Sequence, residues 1–241
     1  MTSETINLIK NHKSIRKFKK TKISLEMINL IFDSAISASS SCFFQCISII
    51  HIEDDEKRKK LVNFSGNKSY VAESSDFFIF CLDYARHNQI APHVNYGNVE
   101  RIINASIDAG IIGQNTLLAA QSLGLGGVFI GGIRNEPNKV CELLKLPKYV
   151  FPLMGLCLGV PDQLPEKKPR LPKDILIHKN SYKNMDNRLL NEYDKTSEIY
   201  YSNRTENKKS QCWSSNIKNK LQSEERSFMK NALISQGLMT N

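Results

Sequence analysis

The segment VERIINASIDAGIIGQNTLLAAQSL, residues 99–123, constrains this chain more than any other. Read as a helix, its Ile, Ala and Leu residues wrap around most of the surface instead of forming one stripe. A helix that is apolar on nearly all sides belongs in the core of a domain or at a subunit interface, so the rest of the chain must supply the elements that cover it. Gly124 stops the helix, because glycine tolerates the left-handed conformation of a C-cap.

The covering elements are readable from their patterns. DFFIFCLDY, residues 76–84, is apolar on both faces and reads as a central strand. Residues 47–53 form an Ile-rich strand, LGLGGVFIGGIRN runs through a short strand into a glycine pair, and VFPLMGLCLGVP supplies a further strand ending at Pro161. Ser24 can cap a helix that places Leu25, Ile28, Phe32, Ala35 and Ile36 on one face. DDEKRKKLVNF is a charged helix, and Asn135 with Pro137 starts NEPNKVCELLKL, since proline fits a first helical turn. Residues 162–174 change to Pro, Lys and Arg and read as an extended loop. Helices follow around residues 185–201, 213–221 and 226–236. The order is β and α elements around one sheet, with a helical C-terminal extension.

Composition narrows the function classes. The longest uninterrupted apolar run, FFIFCL, is far too short to span a bilayer, and the basic N-terminus has no apolar core followed by a small-residue cleavage site. A cytoplasmic protein is expected. The six cysteines, Cys42, Cys46, Cys81, Cys141, Cys157 and Cys212, contain no CxxC pair, and Cys81 and Cys157 sit in apolar runs as buried thiols. Zinc needs paired ligands at short spacing, so no metal is expected. The net charge of +9 favours anionic partners, although the abundance of Lys, Asn and Ile is also what biased codon usage produces.

Three separated segments offer donors for an anion. NHKSIRKFKK places His12, Lys13, Ser14 and Arg16 within five residues; on a helical start, residues 12 and 16 would share a face beside free backbone amides. SASSSCFFQC, residues 37–46, is a helix end and loop crowded with hydroxyls. KKPRLP places Lys168 and Arg170 on either side of a proline, and extended geometry turns both to one side. Each also reads as ordinary surface: a solvated basic face, a polar loop, a linker. The glycine-rich LGLGGVFIGGIRN lacks the GxGxxG opening of a dinucleotide fold and the GK pair of a P-loop, but glycines at a strand end let backbone approach a flat ligand closely.

Taken together and in order, HKSIRKF, SASSSCFFQC, SLGLGGVFIGGIRN, LKLP, PLMGLCLGVP and KPRLP resemble the oxygen-insensitive NADPH nitroreductases and NADPH-flavin oxidoreductases of the nitroreductase family, over nearly the whole chain. The resemblance implies an α+β, three-layer fold with a central, mainly antiparallel sheet flanked by helices. It implies one FMN-binding domain over residues 1–241, in which residues 162–241 form an excursion and extension that packs on the core or the partner subunit. It also implies a homodimer with FMN at the interface. His12, Lys13, Ser14, Lys168 and Arg170 are then expected around the FMN phosphate and ribityl chain. Arg16 is expected by the N1/O2 edge of the ring, and the backbone of Phe129, Ile130, Gly131 and Gly132 against the flavin, with the Gly131 amide toward N5. Ser40, Cys42 and Phe43 are expected to contact the cofactor, Lys68 to stand in the substrate pocket, and Arg204 and Lys209 to bind the extra phosphate of NADPH.

The implied activity is a ping-pong, two-electron hydride reduction of nitroaromatics, quinones or similar acceptors, with no side-chain nucleophile or general base. A flavin reductase that releases reduced free flavin is the nearest alternative, and a basic nucleic-acid-binding protein a more distant one. Lys13 stands where the family usually has arginine, Cys42 where it has serine, Phe129 where it often has tyrosine and Lys68 where it has glutamine. Lysine binds phosphate as a point charge without arginine's fork, and the Lys68 exchange bears most directly on acceptor choice.

Overall fold

The computed structural model describes residues 3–205, 208–223 and 226–240. The chain groups into two units, Met1–Leu164 with Arg226–Asn241, and Pro165–Glu225.

In the first unit, α1 spans Glu4–Lys10, α2 Leu25–Ile36, β1 Ile47–His51, α3 Asp55–Phe64, α4 Tyr70–Glu73, β2 Asp76–Asp83 and α5 Ala85–Ile90. The long helix follows as α6, Val99–Ser122, then β3 at Gly126–Ile130, α7 at Pro137–Leu143 and β4 at Val150–Gly159. Local chemistry sets several of these limits. Ser24 accepts the Met27 amide at the start of α2, Asn98 caps α6, and Pro137 lies in the first turn of α7. Gly124 takes φ +79° after α6, the left-handed conformation expected of it. The short helices α1, α4 and α5 carry too little periodic pattern to be read from the sequence.

The four strands form one antiparallel sheet in the order β1-β2-β4-β3. β2 is central, and its alternation sorts the two faces. Phe77, Ile79 and Cys81 pack with Leu61, Val71 and Val140 from α3, α4 and α7. Phe78 and Phe80 pack with Ile28, Ile31, Leu117 and Ala120 from α2 and α6. Both faces are covered, which gives the three layers and explains why this strand is a continuous apolar run. Truncating Phe77 or Phe80 to alanine would cost about 3–5 kcal/mol. Burial pushes the Cys157 thiol up to about 12, and burial likewise raises Cys81.

Pro152 lies inside β4, where a proline would break a regular ladder. It sits at a register shift opposite Phe80 and Cys81, the bulge that such a residue requires, and Arg134 donates to the carbonyl of Leu153 there. Residues 226–240 return to this part of the sheet: α11, Met229–Ser235, contributes Ala232 and Leu233 to the cluster around Leu82, Tyr84 and Phe151.

The second unit contains α8 at Lys173–Leu176, α9 at Asn187–Asn203 and α10 at Trp213–Leu221. The extended stretch expected over residues 162–174 is extended up to α8, whose single turn takes its last residues. No helix among the described residues is long and apolar enough to cross a membrane.

Candidate functional site

The first group of expected site residues lies along the outer edge of β3. Residues 12–16 do not begin a helix; they follow the C-terminal end of α1 as extended chain, because Ser14 pairs in parallel with Gly127 and the Ile15 amide donates to the Gly127 carbonyl at 3.0 Å. Extended geometry puts alternate residues on one side. Ile15 is buried, and the close pass of its chain explains a glycine at 126, where a Cβ would stand 2.5 Å from Ile15 Cγ1. His12, Ser14 and Arg16 share the other side. His12 Nδ1 lies 3.0 Å from Gln121 Nε2 on α6, and Lys13 is half-buried.

The parallel register carries Arg16 toward Phe129. Its amide and that of Lys17 both donate to Gln163 Oε1, at 2.8 and 2.6 Å, so one side chain fixes the backbone there. The exposed guanidinium donates to the Ser14 carbonyl at 3.5 Å. Burial holds the Tyr70 phenol above its ordinary value while the Arg16 charge opposes that shift. Lys68 is exposed on the loop before α4, two residues from Tyr70. The same loop packs on the strand end: at Gly132 a Cβ would meet the Ser65 carbonyl oxygen at 2.3 Å. At Gly131 a Cβ would meet nothing nearer than Arg134 Nη2, 3.7 Å away. Arg16, the Lys68 loop and Phe129–Gly132 therefore gather at the C-terminal end of β3, with Ser14 and His12 farther back along the strand.

The second group, Ser40, Cys42 and Phe43, lies before β1, at the opposite edge of the sheet. With two strands between, the edges are separated by three inter-strand steps, roughly 14 Å. Residues 41–43 form one 3-10 turn, and Cys42, Phe43 and Gln45 have φ of 46°, 58° and 51°, a conformation that costs residues with a Cβ. Cys42 is exposed and Phe43 is 79% exposed. A cavity of about 420 Å³ beside this loop is lined by Ser39, Ser40, Phe44, Arg86, His87 and Asp108 among others, and by none of the first group.

The third group belongs to the second unit. Lys168 Nζ stands 5.4 Å from the centroid of the Tyr201 ring, Arg204 Cζ stands 5.9 Å from the same ring, and the Lys209 amide donates to the Tyr201 carbonyl at 3.1 Å. Two cations read from the sequence as serving different ligands thus share one aromatic side chain. Arg170 is exposed, beside a proline whose carbonyl accepts from Tyr193 at 3.1 Å.

Several residues escaped the sequence reading. Gln163, Tyr70 and Asp108 act through contacts distant in sequence, and only Asp108 carried a signal, as a carboxylate inside an apolar helix. Arg226 donates to the Gly131 carbonyl at 3.3 Å and to Asn135 Oδ1 at 2.9 Å, and nothing in its sequence neighbourhood marks that. Among the described residues no group of three or more His, Cys, Asp or Glu side chains is arranged to hold a metal ion.

Known proteins resemble the chain in both sequence and fold. Residues 9–160 match the nitroreductase family, and residues 168–241 match the nitroreductase family C-terminal domain. The chain is 44% identical to the NADPH-flavin oxidoreductase of Vibrio harveyi, over 98% of each chain. It is 44% identical to the oxygen-insensitive NADPH nitroreductase of Salmonella typhimurium, over 99% of each. Its fold superposes with a TM-score of 0.94 on the NADPH:FMN oxidoreductase from Vibrio harveyi complexed with NAD+, at 42% identity, covering 99% of this chain and 100% of that one. With a continuous match over both parts of its length and the same antiparallel three-layer fold, the chain belongs to the nitroreductase family.

Proposed function

We propose that this protein is an FMN-dependent NADPH oxidoreductase that reduces nitroaromatics, quinones or similar planar acceptors. The observation that carries the reading is the docking of residues 12–16 along β3, which lines that edge with an imidazole, a hydroxyl and a guanidinium leading toward the open backbone of Gly131. The residues present fit a flavin: Gly131 has room where a side chain would otherwise fill the approach, and the donors suit a phosphate and a ring edge that gains negative charge. FMN, when bound, takes a hydride from NADPH and passes the electron pair to the acceptor.

The chain's own residues bind and orient. Ser14 and His12 face the phosphate and ribityl oxygens, and Arg16, tied by Gln163 and Ser14, supplies a fixed positive charge beside the ring, where a preorganised cation is worth most. For Lys13, Lys168 and Arg170 as phosphate ligands, and for Arg204 and Lys209 toward the NADPH phosphate, family resemblance and charge support the assignment. Lys68, exposed, is assigned to the substrate and nucleotide pocket, and Phe43, exposed, to the flavin ring.

The enzyme acts as a homodimer. One chain leaves Ser40, Cys42 and Phe43 at the opposite sheet edge from Gly131, so a second copy has to bring that loop to the flavin. The surface for it is on α6, where Val99, Ile103, Ile107 and Ile111, four residues apart, are 38% to 54% exposed as a continuous apolar stripe.

The purified protein is expected to be yellow, with one FMN per chain, and to bleach on adding NADPH without oxygen. A colourless protein that FMN does not reconstitute would overturn the reading. The two relatives at equal identity carry nitroreductase and flavin-oxidoreductase names, which supports a second reading as a flavin reductase. Comparing turnover with free FMN and with a nitroaromatic under identical NADPH separates the two. Replacing Arg204 with alanine should raise the KM for NADPH at least tenfold and leave that for NADH nearly unchanged; equal effects would remove its phosphate role.

A further inference from the structure

Asp108 is 3% exposed, midway along α6 and on the buried side between Ala105 and Ala109. Its carboxylate collects donors from the loop before β1. Ser40 Oγ donates to Oδ2 at 2.9 Å, the Ser41 amide to Oδ1 at 3.0 Å and Oδ2 at 3.3 Å, and Cys46 Sγ to Oδ2 at 3.7 Å. The Ser40 hydroxyl also accepts the Gln45 amide at 2.7 Å. A hydroxyl has one proton to donate, and Ser40 directs it into the hydrogen bond to Asp108.

At the other end of the loop Arg86 donates to the carbonyls of Gln45, at 2.8 Å, and Ile47, at 3.2 Å, and the His87 ring lies 2.7 Å from the Phe44 carbonyl oxygen. Between these anchors stand three non-glycine residues of positive φ, Cys42, Phe43 and Gln45. A conformation so unfavourable locally persists where its surroundings over-determine it. A charged acceptor binds such donors more strongly than a neutral one, and Asp108 links the loop to the helix that carries the exposed stripe. Burial, together with the charge of Asp108, keeps the neighbouring Cys46 a thiol.

We propose that Asp108 is a positioning residue for the flavin site: by accepting the Ser40 hydroxyl and Ser41 amide it holds residues 40–46 in a left-handed turn that projects Cys42 and Phe43 toward the flavin of a second copy. Ser40 then serves the cofactor through Asp108 and does not donate to it. The inference rests on the reading above that this loop contacts FMN across a dimer.

The test measures the FMN dissociation constant by fluorescence quenching, the visible circular dichroism of bound flavin, and the mass in solution. It compares the wild type with Asp108→Asn, Asp108→Ala, Ser40→Ala, the Ser40→Ala/Asp108→Ala double variant and Phe43→Ala. Asp108→Asn keeps the shape but turns an amide donor toward Ser40, so the dimer should persist while the dissociation constant rises at least tenfold and the flavin dichroism changes. Ser40→Ala should weaken FMN comparably, and the double variant should be no weaker than Asp108→Ala alone. Independent, multiplicative losses would mean that Ser40 contacts FMN directly and would overturn the assignment. So would wild-type affinity and dichroism in Asp108→Asn when Phe43→Ala weakens FMN. Unchanged affinity in both Phe43→Ala and Asp108→Asn would instead remove the loop from the flavin site. If Asp108→Ala does not fold, Asp108→Asn and Ser40→Ala decide the question by the same criteria.

Discussion

The two edges of the sheet solve different problems. Along β3, residues 12–16 are held by main-chain pairing to Gly127 and by Gln163, in an extended conformation that turns Ser14 and Arg16 away from the buried Ile15. Before β1, the loop is held by side chains, Asp108 on one flank and Arg86 with His87 on the other, in a conformation its own residues disfavour. An edge built on backbone pairing tolerates exchanges such as Lys13 for arginine, since the register does not depend on the side chain. A loop held by a buried carboxylate and two flanking side chains depends on the chemistry of those few residues.

Separating the edges is the most forceful way to break this comparison. If the β1-edge loop completes a flavin site only in a second copy, Ile107→Asp in the exposed α6 stripe should yield a monomer and weaken FMN binding about a hundredfold, because an unpaired charge does not enter an apolar interface. Light scattering with flavin quantification checks this; a flavin-loaded dimer would show that the stripe is not the interface.

Removing charge at the β3 edge comes next. Arg16→Ala should slow anaerobic flavin bleaching by NADPH about a hundredfold in stopped flow, the scale of losing one preorganised electrostatic group. Because the side chain is exposed, stability should change by about 0.5 kcal/mol or less.

The paired glycines sharpen the picture of the same edge. Gly132→Ala drives a Cβ into the Ser65 carbonyl oxygen and should cost about 1–3 kcal/mol in chemical denaturation. Gly131→Ala meets open space and should leave stability nearly unchanged while weakening FMN binding. Equal destabilisation by both would contradict the open approach at Gly131.

The smallest expected effect lies far from either site. Burial would raise the Asp76 carboxyl, but hydrogen bonds from His51, at 2.8 Å, and Ser75, at 2.6 Å, outweigh it and hold Asp76 below the usual carboxylate range. A depressed folded value means stability that is present above the unfolded value, near 3.9, and lost as pH falls through the folded one. Asp76→Asn should therefore cost about 1 kcal/mol at pH 6, and the difference from wild type should shrink below about pH 4. A difference independent of pH would show that the charge contributes nothing.

The fold was largely legible because its signals are local. β2 declares burial on both faces, Ser24, Gly124 and Pro137 mark helix limits, and the glycine pair marks a strand end. The candidate site was legible as residue types in order, but the alternation of His12, Ser14 and Arg16 was read against a helical start, whereas pairing with β3 makes the segment extended. No local pattern competes with a strand edge that offers unpaired carbonyls 110 residues away. Long separations in sequence likewise hid Tyr70, Gln163 and Arg226, the last two 147 and 95 residues from their partners Arg16 and Gly131.

By itself the sequence determined where the four strands and the longer helices lie, that one sheet is covered on both sides, and that the chain belongs among the nitroreductases, since burial periodicity, capping chemistry and motif order are written in neighbouring residues. Only the tertiary structure decided which donors share a place. It laid His12–Arg16 along β3 toward Gly131, left Ser40 to Phe43 at the far edge, and turned Ser40 toward Asp108. Strand order and side-chain hydrogen bonds between distant segments follow from packing the whole chain, and no short stretch of it contains them.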